Sequence, residues 1–296
     1  MAEILTRSLQ GVGVTTKSNI PVRTPKYYVV HDDVDLECDS SVSSLENNID
    51  LAGFGYPLIA KPLTAAGTKS SHHMGIVLSR DGLRRLKTPC LLQEFHNHGE
   101  VLHKVYVLGD SVWSFSRPSL PNLPAGEFAS EDKMCRERDE RQFAKSYVEF
   151  ERPKGSRCYV EFNSQKPYPS LEDFRVDSAD PVIDLPSKKR QRVNDVAGDS
   201  SQPPGEVSDL TRRHVTTDEM QPVTNALREA FGLELFGYDV LVRNNDGGDV
   251  EILVVDVNYF PGYKEVRNFP SLLAQFLTQK AVKSRLLSCS YENKVA

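Results

Sequence analysis

The stretch "EILVVDVNYFPG", residues 251–262, places a carboxylate and an amide at the end of an apolar run. Five of its first seven residues are apolar, which predicts a buried β-strand. Asp256 and Asn258 are two positions apart, so their side chains are expected on one face of that strand. Because a buried charge is costly without compensation, a partner or ligand for Asp256 is expected.

A second apolar strand, "LFGYDVLVR" at residues 235–243, precedes this one across a Gly-rich turn. If the loop is the four residues 246–249, antiparallel pairing sets Asp239 directly opposite Asp256. Two carboxylates and the Asn258 amide then form an oxygen-ligand site suited to Mg²⁺ or Mn²⁺. The alternative is that both aspartates face solvent on the open side of a half-buried sheet.

Composition excludes several classes of protein. The chain has 296 residues, 39% hydrophobic, with a net charge of −5, so no global charge favours nucleic acid. Five scattered cysteines without a CxxC pair argue against a disulfide framework and a zinc site. No apolar run reaches membrane-span length, and the N-terminal residues lack a signal-peptide core. A cytoplasmic or nuclear monomer, bound to neither membrane nor nucleic acid, is expected.

The order of elements predicts an α+β protein with antiparallel sheet. Strands are predicted in the first 125 residues, and a helix–strand–turn–strand–helix order follows residue 216. Between them, residues 163–213 are rich in Pro, Ser, Asp and basic residues, which predicts a disordered insertion. Its basic run "KKRQR", residues 188–192, is a candidate nuclear-localisation patch or a solvated loop.

Cations that could bind nucleotide phosphates occur earlier in the chain. Lys61 ends the apolar strand "PLIAK" and precedes "TAAGTKSSHH", a small polar segment typical of a phosphate-covering loop. No Walker A or GxGxxG motif is present, and Lys61 alone is also readable as a surface lysine. In "QEFHNHGEVLHKVYVLG", His98 and Lys104 flank a strand start, and "QEF" is a candidate strand edge for adenine.

Taken together, these segments resemble the ATP-grasp superfamily and, within it, the inositol-tetrakisphosphate 1-kinase family, also called inositol 1,3,4-trisphosphate 5/6-kinases. The resemblance is carried by "AKPLTAAGTKSSHHMGIVL", "LLQEFHNHGEVLHKVYVLGDSVWSFSRPSLPN", "LFGYDVLV" and "VVDVNYFPGY", in the family's order and in a plant-like style. It implies two α+β subdomains sandwiching a nucleotide, at residues 20–110 and 111–296. Residues 1–19 are expected to be the remnant of a linking helix, with the family's N-terminal domain missing.

The resemblance also implies roles for individual residues. ATP would be bound by Lys61, Gln93, Glu94, Phe95, His98, Lys104 and Ser119, with Lys61 on the phosphates and the segment from Gln93 to Lys104 along adenine. The inositol phosphate would be bound by His72, Lys104, Arg117, Asn258 and Gly262, with His73 leaving the histidine register open by one. Asp239 and Asp256 would hold one Mg²⁺, and Asp256 with Asn258 a second.

The expected activity is Mg²⁺-dependent transfer of the ATP γ-phosphoryl group to a hydroxyl of an inositol polyphosphate, with Lys104, Asp256 and Asn258 as catalytic residues. Two alternatives stay open. One is an ATP-grasp carboxylate–amine ligase that uses the same metal face. The other is a nucleotide- or inositol-phosphate-binding module with little turnover.

Overall fold

A computed structural model describes residues 2–10, 13–63, 68–123, 157–175, 215–244 and 248–295. The strands in these ranges are β1 (Val22–Arg23), β2 (Tyr27–Val30), β3 (Leu58–Pro62), β4 (His73–Val77), β5 (Cys90–Glu94), β6 (Val101–Leu108), β7 (Ser111–Pro118), β8 (Tyr159–Asn163), β9 (Leu235–Asn244) and β10 (Val250–Asn258). The helices are α1 (Ala2–Gln10), α2 (Asp39–Leu51), α3 (Arg80–Leu83), α4 (Gln221–Phe231) and α5 (Phe269–Val295). Short 3₁₀ turns occupy Lys69–His72 and Leu171–Phe174.

The first sheet has the strand order β1-β10-β9-β6-β7 and carries the opening sequence stretch on an inner strand. All its pairs are antiparallel except β1 with β10. One face packs on α1 and α4 through a core that includes Leu9, Val223, Leu227, Tyr238 and Val254. We call the opposite face of this sheet, which carries Asp239 and Asp256, the cleft face.

The second sheet has the order β2-β5-β3-β4-β8, and every pair is antiparallel. Val42, Leu45 and Ile49 of α2 pack on one face, at the spacing of an amphipathic helical stripe. The other face is covered by a cluster that includes Ile76 and Phe162. The α+β, antiparallel prediction is confirmed by these two sheets.

The boundary between the two subdomains was predicted at residue 110, but the sheets separate at a different point of the chain. That boundary falls in the turn between β6 and β7, which pair along their full length within the first sheet. A hairpin keeps both of its strands in one sheet, so the chain crosses between the sheets at residues 95–100 instead. Strand β8, from the later part of the chain, completes the second sheet.

The predicted insertion at 163–213 begins inside ordered structure. Asn163 is the last residue of β8, and residues 164–175 continue into the turn Leu171–Phe174, whose Phe174 is buried. The rest of the insertion, with its basic run at 188–192, lies outside the described residues.

The helix predicted after residue 216 is α4, which spans Gln221–Phe231. It is capped by Gly232, whose φ of 63° is left-handed. The helix predicted to close this region is α5, which runs from residue 269 to 295. In the described ranges, none of the helices is both long and apolar enough to cross a membrane.

The β9–β10 hairpin contains a bulge that decides where Asp256 points. The structure pairs Val250 with Asn244, so the loop is one residue longer than predicted. A register shift between Val254 and Asp256 then restores the predicted pair of Asp256 with Asp239. Val254 therefore faces the core, while Asp256, two residues later, faces the cleft.

Candidate active site in the cleft between the sheets

Asp239, Asp256 and Asn258 come together on the cleft face of the first sheet. Asp239 on β9 is the direct cross-strand partner of Asp256 on β10. Asn258 lies two residues farther along β10, and its Nδ2 donates to Asp256 Oδ2 at 3.2 Å. The sequence prediction that these three oxygen-bearing side chains converge therefore matches the geometry.

Lys104 lies beside these carboxylates on the neighbouring strand. Lys104 on β6 pairs with Asp239 across the sheet, and its Nζ is 3.0 Å from Oδ1 and 3.2 Å from Oδ2. Both side chains are mostly buried, at 18% and 13% exposure. Burial raises the pKa of the Asp239 carboxyl and the nearby Asp256 charge adds to that, whereas the Lys104 ammonium opposes it.

Lys61 reaches the same place from the other sheet. Its Nζ donates to the carbonyl oxygen of Val255, the bulge residue, at 3.0 Å. Burial lowers the pKa of the Lys61 ammonium, and the charges of Asp256 and Asp239 oppose that change. The cleft thus holds two lysines, one from each sheet, against two carboxylates.

These residues fit a bound Mg²⁺. Asp239 Oδ1 is buried and accepts no hydrogen bond from the residues that the structure describes, although the Lys104 ammonium is close. Two carboxylates and an amide are hard oxygen donors, and Mg²⁺ completes its shell with water and phosphate oxygens. In the described ranges, no group of three or more His, Cys, Asp or Glu residues forms a ready metal site. The Asn258 amide oxygen could supply a third protein ligand beside the two carboxylates.

The loop after β10 is fixed by two contacts on either side of Gly262. A Cβ on Gly237 would lie 2.9 Å from Pro261 Cγ, so this close approach requires glycine. Tyr263 is buried and its hydroxyl donates to Val107 O at 2.6 Å. Gly262 itself is exposed between Pro261 and Tyr263, a few residues after β10 ends at Asn258.

Arg117, predicted to bind phosphate, is engaged by an acidic side chain. At the end of β7 it forms an ion pair with Glu265 while keeping 41% exposure. Glu265 also accepts a hydrogen bond from the Tyr106 hydroxyl at 2.6 Å. A phosphate bound by Arg117 would therefore compete with Glu265 for the guanidinium.

The two candidate histidines lie differently. His72 contacts Ser164 through Nδ1 at 3.3 Å and Gln165 through Nε2 at 2.9 Å. His73 begins β4 and lies 3.7 Å from Glu161. Strand alternation sets His73 on the α2 face of the second sheet and Lys61 on the opposite face. Alternation therefore separates His73 from Lys61, whereas His72 lies in the 3₁₀ turn that precedes β4.

His98 and Ser119, both predicted to bind ATP, bond to each other. The His98 ring is 2% exposed, with Nδ1 at 2.7 Å from His96 O and Nε2 at 2.8 Å from Ser119 Oγ. The ring therefore donates from Nδ1 and accepts from Ser119, and burial lowers its pKa. In this arrangement their hydrogen bond joins the 95–100 crossing to the segment after β7, and it uses the single hydroxyl proton of Ser119.

The segment Gln93–Phe95 was predicted to be a free strand edge, and this prediction is wrong. β5 lies between β2 and β3, and Gln93 pairs with Tyr27 on one side and Ile59 on the other. The N–H groups of the next two residues, Glu94 and Phe95, are also bonded to backbone carbonyls. Adenine would therefore have to pair with backbone beyond this segment.

Glu94 is a buried carboxylate with several donors. It pairs with Arg23, accepts the Lys26 N–H at 2.9 Å, and lies 3.1 Å from His96 Nε2. Burial alone raises the pKa of Glu94, but the hydrogen bonds from His96 and Arg23 outweigh it and lower the pKa to about 2.

A pH dependence of stability follows from Glu94. Because its folded pKa lies below the ordinary value of 4.5, its contribution is complete above about pH 4.5 and is lost as the pH falls towards 2. The shift corresponds to about 3 kcal/mol. Urea unfolding of wild type and Glu94→Gln between pH 6 and pH 2.5 should show a stability difference that shrinks with acid. A difference that is constant with pH would contradict this expectation.

Comparison with known proteins identifies the family of this chain. A sequence model described as the inositol 1,3,4-trisphosphate 5/6-kinase ATP-grasp domain matches residues 22–153 and 185–279. The chain belongs to this family. The matched ranges contain Lys61, Lys104, Asp239, Asp256 and Asn258.

Curated relatives of this kinase family support the assignment. Inositol-tetrakisphosphate 1-kinase 1 of Zea mays is 34% identical over 79% of this chain and 53% of its own length. Inositol-tetrakisphosphate 1-kinase 5 of Oryza sativa subsp. japonica is 35% identical over the same shares. Inositol-tetrakisphosphate 1-kinase 1 of Arabidopsis thaliana is 30% identical over 91% of this chain and 67% of its own length. The chain thus spans about half the length of the first two relatives.

Among solved structures, the D-alanine-D-alanine ligase from Coxiella burnetii aligns with 98% of this chain and 60% of its own chain. The identity is 9% and the TM-score 0.41. At that score the likeness adds nothing to the 5/6-kinase family assignment, which rests on sequence.

Tyr168 is a cleft residue that the sequence reasoning missed. It follows β8 in residues that the 5/6-kinase family model leaves unmatched, and its ring packs 5.8 Å from that of Phe162. Burial raises the pKa of its hydroxyl, which is also acted on by the nearby charges of Asp239 and Arg117. No pattern marked Tyr168, because it lies within the span predicted to be disordered.

Proposed function

We propose that this chain transfers the γ-phosphoryl group of ATP to a hydroxyl of an inositol polyphosphate in a Mg²⁺-dependent reaction. The acceptors proposed are the 5 or 6 hydroxyl of inositol 1,3,4-trisphosphate and the 1 hydroxyl of inositol 3,4,5,6-tetrakisphosphate. The observation that supports this best is the meeting of Lys61, from one sheet, with Lys104, Asp239, Asp256 and Asn258, from the other. Family membership and the names of the relatives agree with it.

The two lysines are proposed to bind phosphate oxygens. Phosphoryl transfer proceeds through a loose transition state, so alignment and charge neutralisation supply most of the rate enhancement. Lys61 and Lys104 enter the cleft from opposite sheets, which suits them to hold a phosphate chain from two sides. In the structure described here, each is held by a backbone carbonyl or a carboxylate that such a ligand would replace.

The carboxylate group is proposed to hold two Mg²⁺ ions. Asp239 and Asp256 would hold one ion, and Asp256 with Asn258 the other. Bound Mg²⁺ neutralises charge on the β- and γ-phosphates. For this, the Asn258 amide must turn its oxygen toward the cation, because Nδ2 now donates to Asp256.

The inositol phosphate is proposed to lie against His72, Arg117, Asn258 and Gly262. Arg117 offers a forked donor that suits a phosphate group. Its pairing with Glu265 would limit binding to ligands whose negative charge exceeds that of one carboxylate. Highly phosphorylated inositols meet that condition.

The decisive experiment incubates the chain with radiolabelled ATP, Mg²⁺ and each of three acceptors: the two inositol phosphates and D-alanine. We expect label in a more highly phosphorylated inositol, whereas a ligase would instead release labelled inorganic phosphate in the presence of D-alanine. Lys61→Met serves as the matched negative control, because it removes a phosphate-binding cation while leaving the carboxylates. Mg·ATP binding without transfer would instead support a binding module. Absence of Mg·ATP binding would overturn the proposal.

A further inference from the structure

A cluster of five side chains joins the two sheets where the chain crosses between them. We call it the junction network. It consists of Arg23, Glu94, His96, Arg243 and Glu251.

The network lies where the chain crosses from one sheet to the other. Arg23 ends β1 in the first sheet, and Tyr27 begins β2 in the second. Glu94 ends β5 in the second sheet, and Val101 begins β6 in the first. The ion pair of Arg23 with Glu94 therefore ties these two crossings to each other.

Glu251 anchors both arginines to the first sheet. Its Oε1 is 2.9 Å from Arg23 Nε, and its Oε2 is 2.7 Å from Arg243 Nε. Arg243 is also its cross-strand partner on β9. Both side chains of that pair are 12% exposed, so water screens them little.

His96 completes the connection between the sheets. Arg243 NH1 lies 3.0 Å from His96 Nδ1, and a guanidinium can only donate, so Nδ1 is the acceptor. His96 Nε2 is 3.1 Å from Glu94 Oε1 and 3.4 Å from Arg23 NH2. The ring thus contacts Glu94 of the second sheet and the arginines of the first.

Two guanidinium groups, of Arg23 and Arg243, meet two carboxylates, of Glu94 and Glu251, so these four charges balance. Removing one of these four charged groups leaves an uncompensated charge in a largely buried place, which is strongly unfavourable. The five side chains consequently favour one relative arrangement of the two crossings.

The network and the cleft lysine share strand β10. Glu251 precedes the bulge residue Val255 by four positions, a distance of about 13 Å along a strand. Val255 O is the atom that Lys61 of the second sheet contacts. A rotation of about ten degrees between the sheets at the network would move that contact by about 2 Å.

We propose that Glu94, His96 and Arg243 are positioning residues that fix the angle between the two sheets and so hold Lys61 within reach of the Asp239–Asp256 site. The expected effect of these residues on ATP binding rests on the proposed function. Their expected effect on the angle between the sheets does not. The inference assigns Glu94 a role in positioning instead of the direct ATP contact that the family resemblance implied.

The test measures the angle directly, by electron–electron double resonance between two spin-labelled unnatural amino acids. Suitable sites are Leu51 on α2, 85% exposed, and Glu229 on α4, also exposed, because each helix packs on a different sheet. Wild type should give one narrow distance distribution. Glu94→Gln and His96→Phe should each broaden or shift it, and the apparent Kd for Mg·ATP should rise about tenfold if the competent fraction falls to about one tenth.

Two further variants make the result decisive. Glu46→Gln breaks a comparable pair, with Arg80, inside the second sheet's own layer, and should leave the distribution unchanged. Arg243→Lys keeps the charge but loses the forked geometry, so it should broaden the distribution without a large loss of stability. Folded Glu94→Gln or Arg243→Lys protein with a wild-type distribution would overturn the inference. If wild type did not bind Mg·ATP, only the proposed function would be overturned.

Discussion

Asp256→Asn is expected to lower Mg²⁺-dependent phosphoryl transfer by about a thousandfold while leaving the fold intact. Asp256 is exposed at the cleft, and its carboxylate accepts a hydrogen bond from Asn258, so asparagine fits without loss of packing. Asparagine removes the charge that both proposed Mg²⁺ ions would share.

The loss is measured as product formation, and independently as the rise in Tm that Mg·ATP causes. Wild type should show that rise and Asp256→Asn should show little of it. Asp33→Asn, at an exposed turn position, is the matched control and should behave as wild type. Near-normal transfer by Asp256→Asn, or an unchanged Mg-dependent Tm shift, would show that the metal assignment is wrong.

Lys104→Met is expected to destabilise the protein by about 3 kcal/mol at neutral pH, besides removing a phosphate ligand. The variant leaves the Asp239 carboxylate mostly buried without its ammonium partner, which lies 3.0 Å away in the wild type. Methionine preserves the length of the side chain, so the change isolates charge from packing.

Urea unfolding of Lys104→Met, Asp239→Asn and the double variant separates the possible causes. If the loss comes from an uncompensated charge, the double variant should recover most of it. Added Mg²⁺ should also stabilise Lys104→Met more than wild type, because the cation takes the place of the ammonium. Lys87→Met, which breaks an exposed pair with Glu161, should change stability little. Equal losses in Lys104→Met and the double variant would refute the charge explanation.

The pairing of Asp239 with Asp256 could be predicted from the sequence. The hairpin that produces this pairing, however, has a longer loop and a bulge that were not predicted. A four-residue loop without a bulge also sets Asp239 opposite Asp256. In that register Ile252 and Val254 would face the cleft, and Glu251 would turn toward the core and lose Arg243. The observed register keeps Ile252 and Val254 in the core and Glu251 beside Arg243, which favours the bulge.

The individual ligand roles were harder to predict, because they depend on contacts between distant segments. His98 and Ser119 carry the residue types of a phosphate site, yet the fold bonds them to each other. The sequence suggests that Glu94 belongs to a strand edge that binds adenine. In the fold, Glu94 instead contacts Arg23 and His96, which lie at the crossings between the sheets. α2 also escaped prediction, because its Ser- and Asn-rich sequence has low helix propensity and depends on packing through Val42, Leu45 and Ile49.

The extra residue at Val255 has a consequence for comparing homologous sequences. Upstream of it, even-numbered positions of β10 point to the helices, and downstream of it odd-numbered ones do. A homologue that lacks this one residue would continue in regular alternation, with its aspartate still turned to the nucleotide side. A one-residue gap at this point of an alignment is therefore compatible with an intact metal-binding pair.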